Sequence, residues 1–243
     1  MIECSVIVPL YKEKLSLQEE LTLKHSIFEL KIKNLIFVGP INFDYGYYLD
    51  IFKGVEIQKF DDKYFKSVEG YNSLLLNPDF YKNFHNSNFI LIYQTDALIL
   101  KDEIEYWCNQ PFDYIGAPWP KKFEYQMEFD NFQKKPTKII SDVGNGGFSL
   151  RRVSKCLTLL EEFPELLSFF INSKSSEDLF FGIGSKISNN FMAPNEIIAS
   201  LFSLELDADR YFSINRGKKP MGGHAWEKYQ PEFWYKITPF LSL

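Results

Sequence analysis

The chain has 243 residues, 45% of them hydrophobic and 17% aromatic, with a net charge of −5, enough apolar material for one sizeable core and short for two domains. No apolar run is long enough to span a bilayer, and the basic residues are scattered along the chain, which excludes a membrane-spanning class and a nucleic-acid partner. Cys4, Cys108 and Cys156 lack CxxC spacing, which excludes a zinc cluster and a disulfide framework and points to a reducing cytoplasm; the first residues carry no basic region and no small-residue cleavage site, so no signal peptide is expected.

Glu3 to Leu10 is a β-branched run ending near Pro9 and followed by Tyr11-Lys12-Glu13-Lys14, with Leu17, Leu21, Lys24 and Phe28 then at helical spacing. With a second strand over Asn34 to Val38, stopped by Gly39-Pro40, this predicts a strand, helix, strand unit with a right-handed crossover and a parallel pair. Val55 to Phe60 reads as a third strand. Tyr64 to Leu76 reads as a helix with Phe65, Val68, Tyr71 and Leu75 on one face, ended by Asn77-Pro78.

Asn88 to Lys101 is the most informative stretch. Phe89 to Tyr93 lacks polar alternation, so it predicts a central strand covered on both faces, and the interval Gln94-Thr95-Asp96 then delivers a carboxylate to its end. Ligands of open α/β sheets gather at that edge. An Asp there also serves as a turn former or helix cap, although Asp102 is better placed to cap the helix expected from Glu103 to Asn109.

Phe112 to Pro120 is too rich in Pro and Gly at its end for regular structure, and 121–138 is weakly patterned, a candidate lid loop within a single domain 1–243. Gly144-Asn145-Gly146-Gly147 is either a tight turn or a place where backbone amides meet a ligand. A helix is expected over Val153 to Glu162. Ser173 to Asp178 then has the pattern of a helix start, in which Glu177 and Asp178 serve as first-turn carboxylates or as catalytic groups. Pro194 to Leu201 predicts a short helix and Phe202 to Leu206 a strand. His224 sits in the irregular, glycine-rich Gly222-Gly223-His224, as a structural imidazole or a ligand.

An ordered series of motifs runs through the chain: Tyr-Asn-x-Leu-Leu-Leu at Tyr71, Ile-Tyr-Gln-x-Asp-Ala around Tyr93, Asp-Tyr-Ile-Gly-Ala-Pro-Trp at Asp113, Gly-Asn-Gly-Gly-Phe-Ser-Leu-Arg at Gly144, Glu-Asp-x-Phe-Phe at Glu177 and Gly-x-His-Ala-Trp at Gly222. In this series the chain resembles an uncharacterised bacterial domain family, itself similar to GT-A type nucleotide-sugar glycosyltransferases. The resemblance extends from about Ser5 to Trp234 and implies an α/β, Rossmann-type, GT-A-like fold with a mostly parallel central sheet flanked by helices. It implies an inverting transferase of bacterial surface polysaccharide biosynthesis, moving sugar from a nucleotide-sugar, a UDP-sugar in the first instance, to a glycan or lipid-linked glycan acceptor. The expected location is the cytoplasm, including its face of the inner membrane.

Residue by residue, the resemblance gives Gln94-Thr95-Asp96 the place of the Asp-x-Asp motif, with Asp96 and His224 on a divalent cation, Mn²⁺ or Mg²⁺. Gln94 in place of the first carboxylate removes one charge and leaves that residue for ribose or phosphate. Pro9 and Tyr11 match the nucleobase-holding loop, and Gly146 and Gly147 the floor beneath the donor sugar. Asp178 takes the role of general base, with Glu177 as the second choice, and Trp119 and Trp226 are candidates for stacking an acceptor sugar. Two other classes stand beside this one. A non-catalytic carbohydrate- or nucleotide-binding module of a larger synthase fits the weakened Asp-x-Asp. A sugar nucleotidyltransferase would need a glycine-rich loop after the first strand, and Pro9 to Lys14 has no glycine.

Overall fold

The computed structural model describes residues 2–30, 34–127 and 137–238. Strand β1 (Cys4–Pro9), helix α1 (Leu17–Glu29) and strand β2 (Leu35–Pro40) form the expected opening unit. Helix α2 (Gly46–Ile51), β3 (Glu56–Phe60), a 3-10 turn (Asp62–Phe65), α3 (Val68–Leu75) and α4 (Pro78–Lys82) come next. Then follow β4 (Phe89–Tyr93), β5 (Leu98–Ile99), α5 (Ile104–Cys108) and the long pair β6 (Tyr114–Met127) and β7 (Thr137–Arg152). The remainder is mostly helical: α6 (Val153–Glu162), α7 (Pro164–Asn172), α8 (Glu177–Ile187), α9 (Glu196–Phe202), β8 (Ser203–Leu204), α10 (Ala208–Ile214), β9 (Gly222–Gly223) and α11 (Pro231–Ile237).

The six-stranded sheet has the order β3-β2-β1-β4-β7-β6. β1 pairs in parallel with β2 and β4, and β2 with β3, while β7 runs antiparallel to both neighbours. Every residue of β4 is buried, as its unbroken apolar run predicts. Alternate residues feed opposite layers, as the period of a strand dictates: Val6, Val8, Leu91 and Tyr93 enter one apolar cluster, and Ile7, Ile90 and Ile92 the other. A second, three-stranded sheet of order β5-β9-β8 lies after the carboxyl end of β4.

Three elements depart from the sequence reading. The residues after Phe112 form a strand, because β6 is the sheet's edge: Pro118 and Pro120 need no partner on the open side, and register shifts between Ile115 and Phe123 absorb the irregular sequence. The candidate lid 121–138 therefore begins and ends in paired strand, and 128–136 lie outside the described residues. The glycine-rich segment is the middle of β7 and not a turn. Helix α1 turns its expected apolar face outward, with Leu17 76% and Phe28 78% exposed. Its buried face carries Glu19, Thr22, Leu23 and Ser26, and the polar members are satisfied internally: Ser26 Oγ meets Tyr93 Oη at 2.9 Å, and Thr95 Oγ1 donates to Glu19 Oε1 at 2.7 Å.

Candidate active site

The small sheet is the device that gathers the first group of polar residues. β5 runs antiparallel to β9, with Leu98 opposite Gly223, and β8 runs parallel to β9, with Leu204 also opposite Gly223. The residues just beyond these pairs are therefore brought together: His224 after β9, Glu205 after β8, and Asp96 shortly before β5. His224 Nδ1 lies 2.9 Å from Glu205 Oε2, and its Nε2 lies 3.1 Å from Asp96 Oδ1 and 3.0 Å from Gln94 Oε1. Burial pushes the imidazole pKa down, but the bonds to Asp96 and Glu205 outweigh it and raise it to about 10. Burial likewise pushes the Asp96 carboxyl up, and its contact with His224 holds it below the ordinary value.

The second group comes from β7 and α8. Gly147 lies flat against His224, and any side chain there would overlap the imidazole ring. A Cβ at Gly146 would come 2.6 Å from Glu177 Oε1. Glycine is required at both positions by close approach, and the Gln94 amide donates to the Gly147 carbonyl at 2.9 Å, tying β7 to the end of β4.

At the start of α8, Glu177 is buried and fully committed. Its Oε1 accepts from Arg151 Nη2 at 2.6 Å and its Oε2 from the Asp178 amide at 2.8 Å. Arg151, itself buried, also donates to Tyr81 Oη and Ser149 Oγ. Among the described residues, the Asp178 side chain accepts one hydrogen bond, from the Leu179 amide at 2.8 Å. Burial, then the adjacent Glu177 charge, raises its carboxyl well above the ordinary range.

These residues face a cavity of about 450 Å³, lined by Pro9, Tyr11, Gln94, Gly146, Gly147, Glu177, Asp178 and His224 among others. Asp96 instead lines a neighbouring cavity of about 340 Å³ with Lys12, Glu19, Glu227 and Lys228. Tyr11, 48% exposed, borders both, and the Asp96–His224 contact lies on the partition between them. Every residue expected to hold the donor, the cation or the transferred proton therefore belongs to one or other of two adjacent cavities. The two tryptophans do not: Trp119 is 4% and Trp226 1% exposed, neither lines either cavity, and the Trp119 indole donates to Asn145 Oδ1 at 2.7 Å. They are core residues because their ring edges fill the space under β7 and within the α10–α11 cluster.

The sequence reading did not place Tyr71, Asn72 or Glu205 at the site, although all three line the larger cavity. Tyr71 and Asn72 were visible as a motif. Glu205 was signalled only as a residue within the strand expected over Phe202 to Leu206.

The donor set fits a hard divalent cation. Apart from its contact with His224 Nε2, Asp96 Oδ1 is buried with no hydrogen-bond partner among the described residues, and the 3.1 Å separation of the two atoms matches the roughly 3 Å between neighbouring ligands that each stand about 2.1 Å from such an ion. Among the described residues no group of three or more His, Cys, Asp or Glu side chains closes a metal site. Asp96 and His224, with the Gln94 amide oxygen beside them, would thus leave positions open to phosphate oxygens.

Residues 54–224 match the family model described as "Protein of unknown function (DUF5672)". Mouse xyloside xylosyltransferase 1, in its apo form, superposes with a TM-score of 0.57 at 11% identity over 92% of this chain and 98% of that one. WbbM, a bifunctional glycosyltransferase, gives 0.58 at 10% identity over 99% of this chain and 50% of its own. The glycosyltransferase GlyE of Streptococcus pneumoniae gives 0.50 at 10% identity, over 98% and 60%. This chain thus spans only half to three fifths of the last two. No curated protein sequence matches it. At such identities the likeness is one of fold, and the expected GT-A-like architecture with its mostly parallel central sheet is the one found.

Proposed function

We propose that this chain, which belongs to the DUF5672 family of proteins of unknown function, is a glycosyltransferase that moves a sugar from a nucleotide-sugar donor to a hydroxyl of a glycan acceptor with inversion. The observation that carries the reading is the joint lining of one cavity by Asp178, His224 and the Gly146–Gly147 floor. The adjoining cavity, with Tyr11 on the border and Lys12 and Lys228 facing Glu19, Asp96 and Glu227 on its wall, would take the nucleotide half of a two-part ligand once a cation at Asp96 offsets the carboxylates.

In this reading the acceptor oxygen attacks the anomeric carbon and passes its proton to Asp178. The bond from that carbon to the diphosphate oxygen breaks, and its electron pair leaves with the diphosphate. Asp178 suits the task because its raised carboxyl binds a proton more tightly than an ordinary Asp. Glu177, held by Arg151 and by the Asp178 amide, fixes the backbone that carries the base. Gln94 and Tyr71 would orient the donor, and Asp96 and His224 would hold a cation whose chemistry, when bound, is neutralisation of the departing diphosphate. The acceptor in this proposal is a glycan or lipid-linked glycan of surface polysaccharide assembly.

A thermal-shift panel of nucleotide-sugars, with and without Mn²⁺, tests it. One donor should raise Tm in proportion to its excess over Kd, and turnover with that donor should vanish in Asp178→Asn. A panel in which no donor shifts Tm would end the transferase reading; a donor that binds without turnover in the wild type would favour a binding module instead.

A further inference from the structure

The interaction that no motif announced is the one between Glu205 and His224. Glu205 is 8% exposed, lines the larger cavity and aims Oε2 at His224 Nδ1 at 2.9 Å. The contact is built into the register of the small sheet. Leu204 and Gly223 are paired in parallel, and the His224 amide donates to the Leu204 carbonyl at 3.1 Å, so the next residue on each strand is a neighbour. A histidine ring has two useful nitrogens and a freely turning bond. Engaging Nδ1 fixes which nitrogen is left for a ligand, and a carboxylate partner also makes that nitrogen a better donor.

We infer that Glu205 is a positioning residue of this site: its carboxylate holds the Nδ1–H of His224, so that Nε2 is presented toward Gln94, Asp96 and whatever ligand oxygen or cation meets them. The inference rests on the proposed function for what His224 meets, and on geometry alone for how His224 is held. Gly147 completes the arrangement, since a side chain there would occupy the place of the imidazole ring.

The test uses ¹⁵N-labelled full-length protein, with imidazole signals of His25, His85 and His224 assigned by substitution, together with titration of Mn²⁺ alone. In the wild type the His224 Nδ1–H proton should appear far downfield, the signature of a hydrogen bond to carboxylate. Glu205→Leu should abolish that signal and weaken Mn²⁺ binding roughly 10–100-fold, whereas Glu205→Gln, which keeps an acceptor, should restore most of the affinity. Tm measured on each variant separates this from general loss of structure, because a structural role would weaken binding only as folding weakened. A signal unchanged in Glu205→Leu overturns the inference, as does unchanged Mn²⁺ affinity when that signal is lost. A wild type that binds no Mn²⁺ yet loses the signal in Glu205→Leu upholds the positioning role and removes the cation from the proposed function. Failure of every nucleotide-sugar to bind would remove the transferase reading and leave the resonance to decide the role of Glu205.

Discussion

At the scale of single residues, the two carboxylates at the head of α8 have been given different environments. Glu177 is neutralised by a buried guanidinium, and Asp178 is left with one backbone donor and a neighbouring negative charge. Asp178→Asn is expected to lower turnover about 10²–10⁴-fold while the donor-induced Tm shift persists. Because the Asp178 carboxyl is raised, its ionised fraction grows only at pH values above the ordinary Asp range. The rate should therefore climb with pH along an acidic limb displaced upward, and the variant should lack that limb. Arg151→Met would strand the Glu177 charge in the interior and is expected to cost about 3–5 kcal/mol in urea unfolding; adding Glu177→Gln should recover part of the loss, since the isolated charge is then gone.

At the scale of elements, Gly147→Ala is the most direct probe of the floor. Its backbone lies in β7 where the register with β6 shifts, with no left-handed φ to forbid a side chain, so the substitution should leave the sheet paired and cost about 1–3 kcal/mol of overpacking, yet displace the His224 ring and abolish donor-induced stabilisation. Helix α1 gives a second prediction. Phe28→Ser should change stability by no more than about 0.5 kcal/mol, whereas Leu23→Ala, at a position 1% exposed, should cost about 2–5 kcal/mol. The sequence showed where α1 runs but not which side it buries, because Glu19 and Ser26 become good interior residues only once Lys12, Thr95 and Tyr93 arrive as partners. β4 was legible for the opposite reason: a strand apolar on both faces needs no partner list to be recognised as central. β6 was hidden because prolines argue against a strand unless its edge position is known, and Glu205 because its meaning depends on register with residues far along the chain.

At the scale of the whole molecule, the site is tied to the first helix through buried polar links. Glu19 accepts from Lys12 Nζ, the Ser16 amide and Thr95 Oγ1. Burial pushes its carboxyl up, and these bonds outweigh that and hold it below the ordinary value. A depressed carboxylate contributes stability that is present above its unfolded pKa and is lost as pH falls through the lower folded one. Acid unfolding of the wild type should accordingly be steeper than that of Glu19→Gln, measured as Tm against pH below neutrality. No helix among the described residues is long and apolar enough to cross a membrane.

The order in which these parts emerge during synthesis follows from the two sheets. All six strands of the large sheet have been made once Arg152 is complete, but β5 and β8 have no ladder in the small sheet until β9 at Gly222–Gly223 slots between them. A nascent chain arrested short of Gly222 would hold a nearly finished scaffold with Asp96 and Glu205 unjoined. Competence is thus conferred late and at one stroke, because a polypeptide released short of Gly222 lacks the strand that joins β5 to β8 and the imidazole that follows it.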